Sequence, residues 1–174
     1  MVKLRTAQRG SSMLEFTLVG IPIIFILIST FELSRGMWNY HTLAYAIKEG
    51  TRYASVHGIN CSTSPNTCTV TVAQITQHIL DAGIGLPANQ LNLRFTYTGG
   101  TTTCVAAVVA NNCLTNNTVW PPAPGNAVGS DIQIDGSVPF QSAISMFWPG
   151  AVQGNGITFG TFNFPASSRD TVQF

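Results

Sequence analysis

Charge is scarce in this chain, with 8 Lys and Arg against 7 Asp and Glu in 174 residues. No run of Lys or Arg occurs outside the first ten residues, which removes the basic patch that nucleic-acid binding requires. Catalytic signatures are missing too: there is no Gly-x-Ser-x-Gly, no His-Glu-x-x-His and no phosphate-binding glycine loop. The three histidines, His41, His57 and His78, are scattered as surface or core residues usually are. No nucleophile and base can be paired, so an anchored hydrolase is the weakest function class. The 4 cysteines include no Cys-x-x-Cys or matching His spacing, the arrangement zinc normally asks for. No cofactor or metal is expected, and the chain reads as a non-enzyme.

What the sequence does have is concentrated at its start. Lys3, Arg5 and Arg9 lie in a basic leader that ends at Gly10, and an apolar run then reaches Phe31 with Glu15 at its beginning. A carboxylate placed in hydrocarbon costs roughly 2.5 to 3.5 kcal/mol on insertion scales, so an intramembrane acid is a functional hypothesis by default. The bland alternative is that Glu15 snorkels to the headgroups, since it sits near the start of the run. A cleaved secretory signal would need a small-residue cleavage site after the apolar run, and Ser29-Thr-Phe-Glu-Leu-Ser-Arg-Gly36 has no Ala-x-Ala-like pair. A plain signal anchor, with the basic residues holding the N-terminus in the cytoplasm, gives a sensible topology but leaves Gly10 and Glu15 unexplained.

Arg9-Gly10-Ser11, then Glu15-Phe16, then a hydrophobic helix with an early Pro22, resembles the processing region of type IV pilin-like proteins, and more specifically the TadE-like pseudopilins of tight-adherence (Tad) pilus systems. Glu49-Gly50-Thr51-Arg52-Tyr53-Ala54 is similar to that family's Glu-Gly-x-Arg-Tyr-Ala segment, and together the matches span the first third of the chain. The resemblance implies cleavage between Gly10 and Ser11 by a membrane prepilin peptidase on the cytoplasmic side. The new Ser11 amine would then pair with Glu15 of the same or a neighbouring subunit, offsetting the desolvation of the carboxylate, with Phe16 beside it at the assembly position. It also implies other pilin subunits and an inner-membrane assembly platform as partners. The protein would reside first in the inner membrane as a single-pass subunit, N-terminus in the cytoplasm, and then at the cell surface. Removing the leader changes the formal balance from 8 against 7 to 5 against 7.

A bilayer core about 30 Å thick asks for roughly 20 apolar residues, and residues 16–31 supply fewer. Pro22 withdraws a backbone donor, which predicts a kink or local unwinding near residues 18–22. Helix continues without a breaker through Met37 to about Val56, a rod on the order of 70 Å long. At about 100° per residue Tyr40, Leu43, Ala44, Ile47, Thr51 and Ala54 fall on one arc, expected to face the globular part. His41, Lys48, Glu49 and Arg52 fall on another. Trp38 and Tyr45 lie nearer the charged arc, as interface-belt aromatics or subunit contacts.

After His57 the composition turns to Gly, Asn, Thr, Ser and Pro. Residues 70–82 predict a short helix stopped by Gly83. Residues 91–97 alternate, Gly99-Gly100 signals a hairpin, and residues 103–109 make the return strand. Residues 131–138 and 157–164 are two more strands, the second placing Ile157, Phe159, Phe162 and Phe164 in a core. Cys61, Cys68, Cys104 and Cys113 allow three disulfide connectivities, of which the local pairs Cys61 with Cys68 and Cys104 with Cys113 close short loops in an oxidising compartment. Asp131 and Asp135 share a strand face and are either calcium ligands or an outward polar edge. The loop 119–129, with Pro121, Pro122 and Pro124, is a contact tip or a stiff linker.

The expected fold is α+β: a long N-terminal pilin-like helix, membrane-spanning in its first half, with a small antiparallel sheet domain packed on its extracytoplasmic half. Three regions follow, a leader over 1–10, the helix over 11–57 and the globular part over 58–174. The expected function is a minor pilin or pseudopilin. The alternatives are an anchored adhesive or binding protein that never polymerises, and the main subunit of a divergent filament.

Overall fold

The structure is a computed structural model, and it describes residues 11–61, 69–104, 113–142 and 161–173. The leader, Cys68, residues 105–109 of the expected return strand, and Ile157 and Phe159 lie outside them. Helix α1 runs Ser11–Ser55 and, after a single 3-10 turn at Ile59–Cys61, is followed by α2 at Val72–Ala82. The strands are β1 Asn92–Tyr97, β2 Gly100–Cys104, β3 Asp131–Gln141 and β4 Thr161–Thr171, with a second 3-10 turn at Cys113–Thr115. They form one antiparallel sheet in the order β2-β1-β3-β4. The α+β architecture expected from the sequence is the one observed.

Helix α1 is continuous across Pro22, so the expected unwinding does not occur. Proline removes one ladder donor, here the partner of the Leu18 carbonyl, and a membrane helix accommodates that loss. The hydroxyls of Thr17, Ser29, Thr30 and Ser34 each donate to a carbonyl one turn back, leaving few unmet polar groups along this stretch. The helix stops at Ser55, where its carbonyl accepts from the Gln173 amide at 2.9 Å. The Ser55 hydroxyl also donates to Asp170 at 3.0 Å, tying the end of α1 to the end of β4.

Helix α2 begins two residues later than the periodicity suggests because Thr71 is its N-cap. Thr71 Oγ1 accepts from the Gln74 amide, and the Gln74 side chain accepts from the Thr71 amide at 3.0 Å, a complete capping box. Gly83 ends it as expected, its N–H donating to Ile79 and Leu80 carbonyls.

In β3 burial alternates along the whole strand, turning Ile132, Ile134, Gly136, Val138 and Phe140 inward and Gln133, Asp135 and Ser137 outward. β1 adds Leu93 and Phe95 to the same face. From α1 the core receives Leu43, Ala46, Ile47 and Ala54, and from α2 Val72, Ile75 and Ile79. The arc expected to face the domain does so at Leu43, Ile47, Thr51 and Ala54, whereas Tyr40 remains 44% exposed. The return strand starts earlier than expected, at Gly100, since the hairpin pairs Tyr97 with Gly100 directly.

The last strand runs past its expected end at 164 and continues to Thr171, while residues 157–160 of the expected strand lie outside the described residues. It pairs Gln141 with Thr161 and Asp131 with Thr171, so its buried residue is Ala166, with Val172 just beyond it. Phe164 is half-buried, and Phe162, expected inside, is exposed.

Two glycines set how closely α1 approaches the rest. A Cβ on Gly136 would stand 2.5 Å from Ile47 Cδ1 and 2.9 Å from its Cγ1. A Cβ on Gly50 would overlap Ile79 of α2. Gly136 thus lets α1 lie against the sheet, and Gly50 lets it cross α2.

Replacing Gly136 with Ala is expected to cost about 1–3 kcal/mol through overpacking against a fully buried isoleucine. Gly20→Ala, whose Cβ would meet nothing nearer than 3.9 Å, should be neutral or gain up to about 1 kcal/mol of helix propensity. Chemical denaturation of both variants in the same detergent checks this pair.

Candidate assembly site

None of the most apolar stretch of α1 is buried within the chain. Phe16, Leu18, Ile24, Leu27 and Phe31 are all more than half exposed, an apolar surface much larger than an ordinary soluble protein leaves to water. The helix is long and apolar enough to cross a membrane, and it fits a single-pass anchor. Ser11 opens it and Glu15 stands one turn on, on the same side of the helix. Glu15 and Phe16 are both exposed, turned to whatever surrounds the helix rather than to this chain's own domain. The structure therefore brings Ser11 and Glu15 together, and Gly10 immediately precedes them in the sequence.

Further along α1, the segment Glu49 to Ala54 is where the helix meets α2. Thr51 is buried and its hydroxyl donates to the Ile47 carbonyl at 2.8 Å. Gly50 provides the crossing and Ala54 is fully buried. Arg52 and Glu49 form an ion pair at 3.7 Å on the outer side. Tyr53 stacks on His78 of α2 at 4.6 Å and packs against His57 at the same distance, while His57 Nδ1 lies 2.5 Å from the Tyr53 carbonyl. The histidines that look scattered in the sequence are thus two-thirds assembled around one tyrosine, which only the docking of α2 on α1 could reveal. His41 stays apart and exposed. The Glu-Gly-Thr-Arg-Tyr-Ala segment is a docking element, with small residues where the helices touch and an aromatic wedge beside them.

Cys104 and Cys113 are bonded, with Cα atoms 6.0 Å apart, as the local-pairing expectation required. Cys61 closes the first 3-10 turn, and its expected partner Cys68 is not among the described residues. Asp131 pairs with Arg169 across β3 and β4, and Asp135 accepts from Gln133 Nε2 at 2.7 Å. Both carboxylates already have protein donors, which favours the outward polar edge over calcium. Among the described residues no group of three or more His, Cys, Asp or Glu could hold a metal ion.

The loop 119–129 is partly packed into the domain, while Val119, Ala123, Pro124 and residues 127–129 are exposed. Trp120 is buried and meets Phe95 edge-on at 5.3 Å, and its amide donates to the Val70 carbonyl at 2.9 Å. Gly125 lies against Tyr97 so closely that a Cβ would stand 2.5 Å from the ring, and Asn126 accepts from the Ile59 amide at 3.0 Å. A tryptophan among prolines in a charge-free stretch was the available signal that part of this loop enters the core.

The fold and the exposed helix define a class: an α+β domain carried on a single apolar helix, with a carboxylate at the start of the apolar segment. The family model described as TadE-like protein matches residues 10–52, about a quarter of the chain, and the resemblance drawn from the sequence stands over that segment. It reaches from Gly10 to Arg52 inside the docking element. Neither the curated proteins nor the solved structures contain a match to the chain.

Tyr53→Ala should cost about 1–3 kcal/mol and Tyr53→Phe under about 0.5, because the ring stacks on His78 and His57. Arg52→Ala, on the solvent side, should stay within about 0.5 kcal/mol. Opening Cys104–Cys113, a separation of 9 residues, should cost about 2–3 kcal/mol. Thermal unfolding of the oxidised chain against a Cys104→Ser/Cys113→Ser pair measures the last.

Proposed function

We propose that the protein is a non-enzymatic minor pilin or pseudopilin of a Tad-like pilus, processed after Gly10 by a prepilin peptidase and held by α1 in the inner membrane until it enters a filament. The observation that carries this reading is the combination of the TadE-like match over residues 10–52 with an α1 whose first half is uncovered by its own chain. Such a helix needs lipid around it before assembly and other subunits around it afterwards. Cleavage would free the Ser11 amine one turn from Glu15, and in a filament core the same amine can meet Glu15 of an incoming subunit. Two opposite charges leaving water together offset each other's desolvation, and removal of one alone leaves an uncompensated charge.

The domain's size and its low charge suit a surface that contacts other proteins, as in a subunit that initiates or caps the fibre. Partners are then other pilin subunits, the peptidase and the inner-membrane assembly platform. The residence sequence is inner membrane, N-terminus in the cytoplasm, then the cell surface. A single-pass adhesive protein that never polymerises remains the competing class, and it differs in one respect: Glu15 would be replaceable.

Intact mass and N-terminal sequencing of protein from its native membrane should show a mature chain starting at Ser11, and a bulky Gly10 substitution should leave Met1 in place. Glu15→Ala should remain in the membrane yet fall at least tenfold in fibre incorporation. A Met1 chain in the wild type, or Glu15→Ala fibres at normal yield, would reject the reading.

A further inference from the structure

The lower end of the domain reaches the membrane segment of its own helix. Arg35 is the link: its guanidinium donates to the Gln141 carbonyl at 2.5 Å, pairs with Glu32 at 3.2 Å and lies 4.7 Å over the Phe140 ring. Phe140 and Phe164 pack at 5.3 Å, and Tyr40 meets Phe164 edge-on at 6.2 Å. Beside them an apolar groove of about 530 Å³ runs between α1 and the ends of β3 and β4. Its lining includes Ser29 and Leu33 from the helix and Phe162 from β4. Ser29 lies inside the apolar run that ends at Phe31, so Phe162 stands at the height of that run's last turn.

The length of the run supplies the second argument. Counted from Phe16, the first residue beyond Glu15, a span of roughly 20 residues ends near Arg35, four past Phe31. In those four residues the charges of Glu32 and Arg35 are paired with each other, and the Glu32 side chain is only 15% exposed. Apolar surface resumes on both sides of the helix, with Leu33, Met37 and Trp38 all more than half exposed. Trp38 stands about 200° around α1 from Gly36, the residue facing Phe140 and Phe164. The shortfall of the apolar run is thus made up by the interface-type aromatics Trp38 and Tyr40 of α1 and by apolar phenylalanines from the ends of β3 and β4.

We infer that the β3–β4 end of the domain is a membrane-contact surface, with Phe162 seated in the outer-leaflet interface and the groove beside it filled by lipid. The surface is continuous with the anchor, which selects the bilayer as its occupant. The inference rests on the membrane-anchor part of the proposed function and goes beyond it, because an anchor alone would allow the domain to stand clear of the lipid.

The test uses the full chain in phosphatidylcholine/phosphatidylglycerol vesicles carrying lipids brominated near the top of the acyl chain. Phe162→Trp is compared with Val128→Trp, an exposed position at the opposite end of the sheet. Each is read as a difference from wild type with its own Trp38, Trp120 and Trp148, and flotation is recorded in parallel. The expected result is co-flotation with at least twofold stronger bromolipid quenching at 162 than at 128. Met37→Trp, on the helix side of the same groove, should behave like 162 and decides the matter if the strand variant misfolds. Co-flotation with 162 open to aqueous iodide, or shielded from iodide and bromolipid alike as a second copy would shield it, overturns the inference and leaves the anchor standing. Failure to float overturns both.

Discussion

Everything in this molecule depends on one helix serving two solvents. The C-terminal part of α1 is the spine of the domain, with Leu43 and Ile47 pressed on the sheet and Gly50 crossing α2. None of the most apolar stretch in its N-terminal part is buried by the chain. The same rod therefore has to carry a soluble-protein core stripe at one end and an all-round apolar surface at the other. Gly136 permits the first by bringing the sheet within reach of Ile47. At the sheet's lower edge the Arg35 to Gln141 link joins it to the same helix.

The TadE-like segment takes on physical meaning in this light. Its first part supplies a carboxylate at Glu15 that faces outward from the chain. Its second part, ending in the Glu49 to Ala54 element, faces inward and holds α2. The match over residues 10–52 thus covers both faces of the helix's task and little else. The sheet, the Trp120 loop and the disulfide at Cys104–Cys113 belong to the remainder.

Elements governed by local rules were readable in advance. The extent of α1 follows from an unbroken helical pattern, α2 from a stop at Gly83, and β1 and β3 from alternation that the burial of Ile132, Ile134 and Val138 matches. The last strand was ended too early because the phenylalanines at 162 and 164 look more like a core strand than Pro165 to Thr171 does. The true strand lies along α1 and needs only Ala166 inside, while its far end is held by Asp170 and Ser55. Phe162, paired with Phe140, is left exposed. The Tyr53, His57 and His78 stack was invisible because its members come from two helices and a turn. The Trp120 loop was misread because prolines dominate its composition, although its one large side chain fills the space against Phe95.

The central claim is that α1 works by presenting the Ser11 amine to Glu15 of another copy. Isolated filaments treated with a membrane-permeant carbodiimide test it most directly, since the reagent joins a carboxylate to an amine only when the two are in contact. The account predicts cross-linked dimers whose junction peptide joins the Ser11 amine to Glu15, shown to lie between chains by mixing isotopically labelled and unlabelled subunits. Filaments that yield only uncross-linked monomers, or junctions confined to single chains, would contradict it.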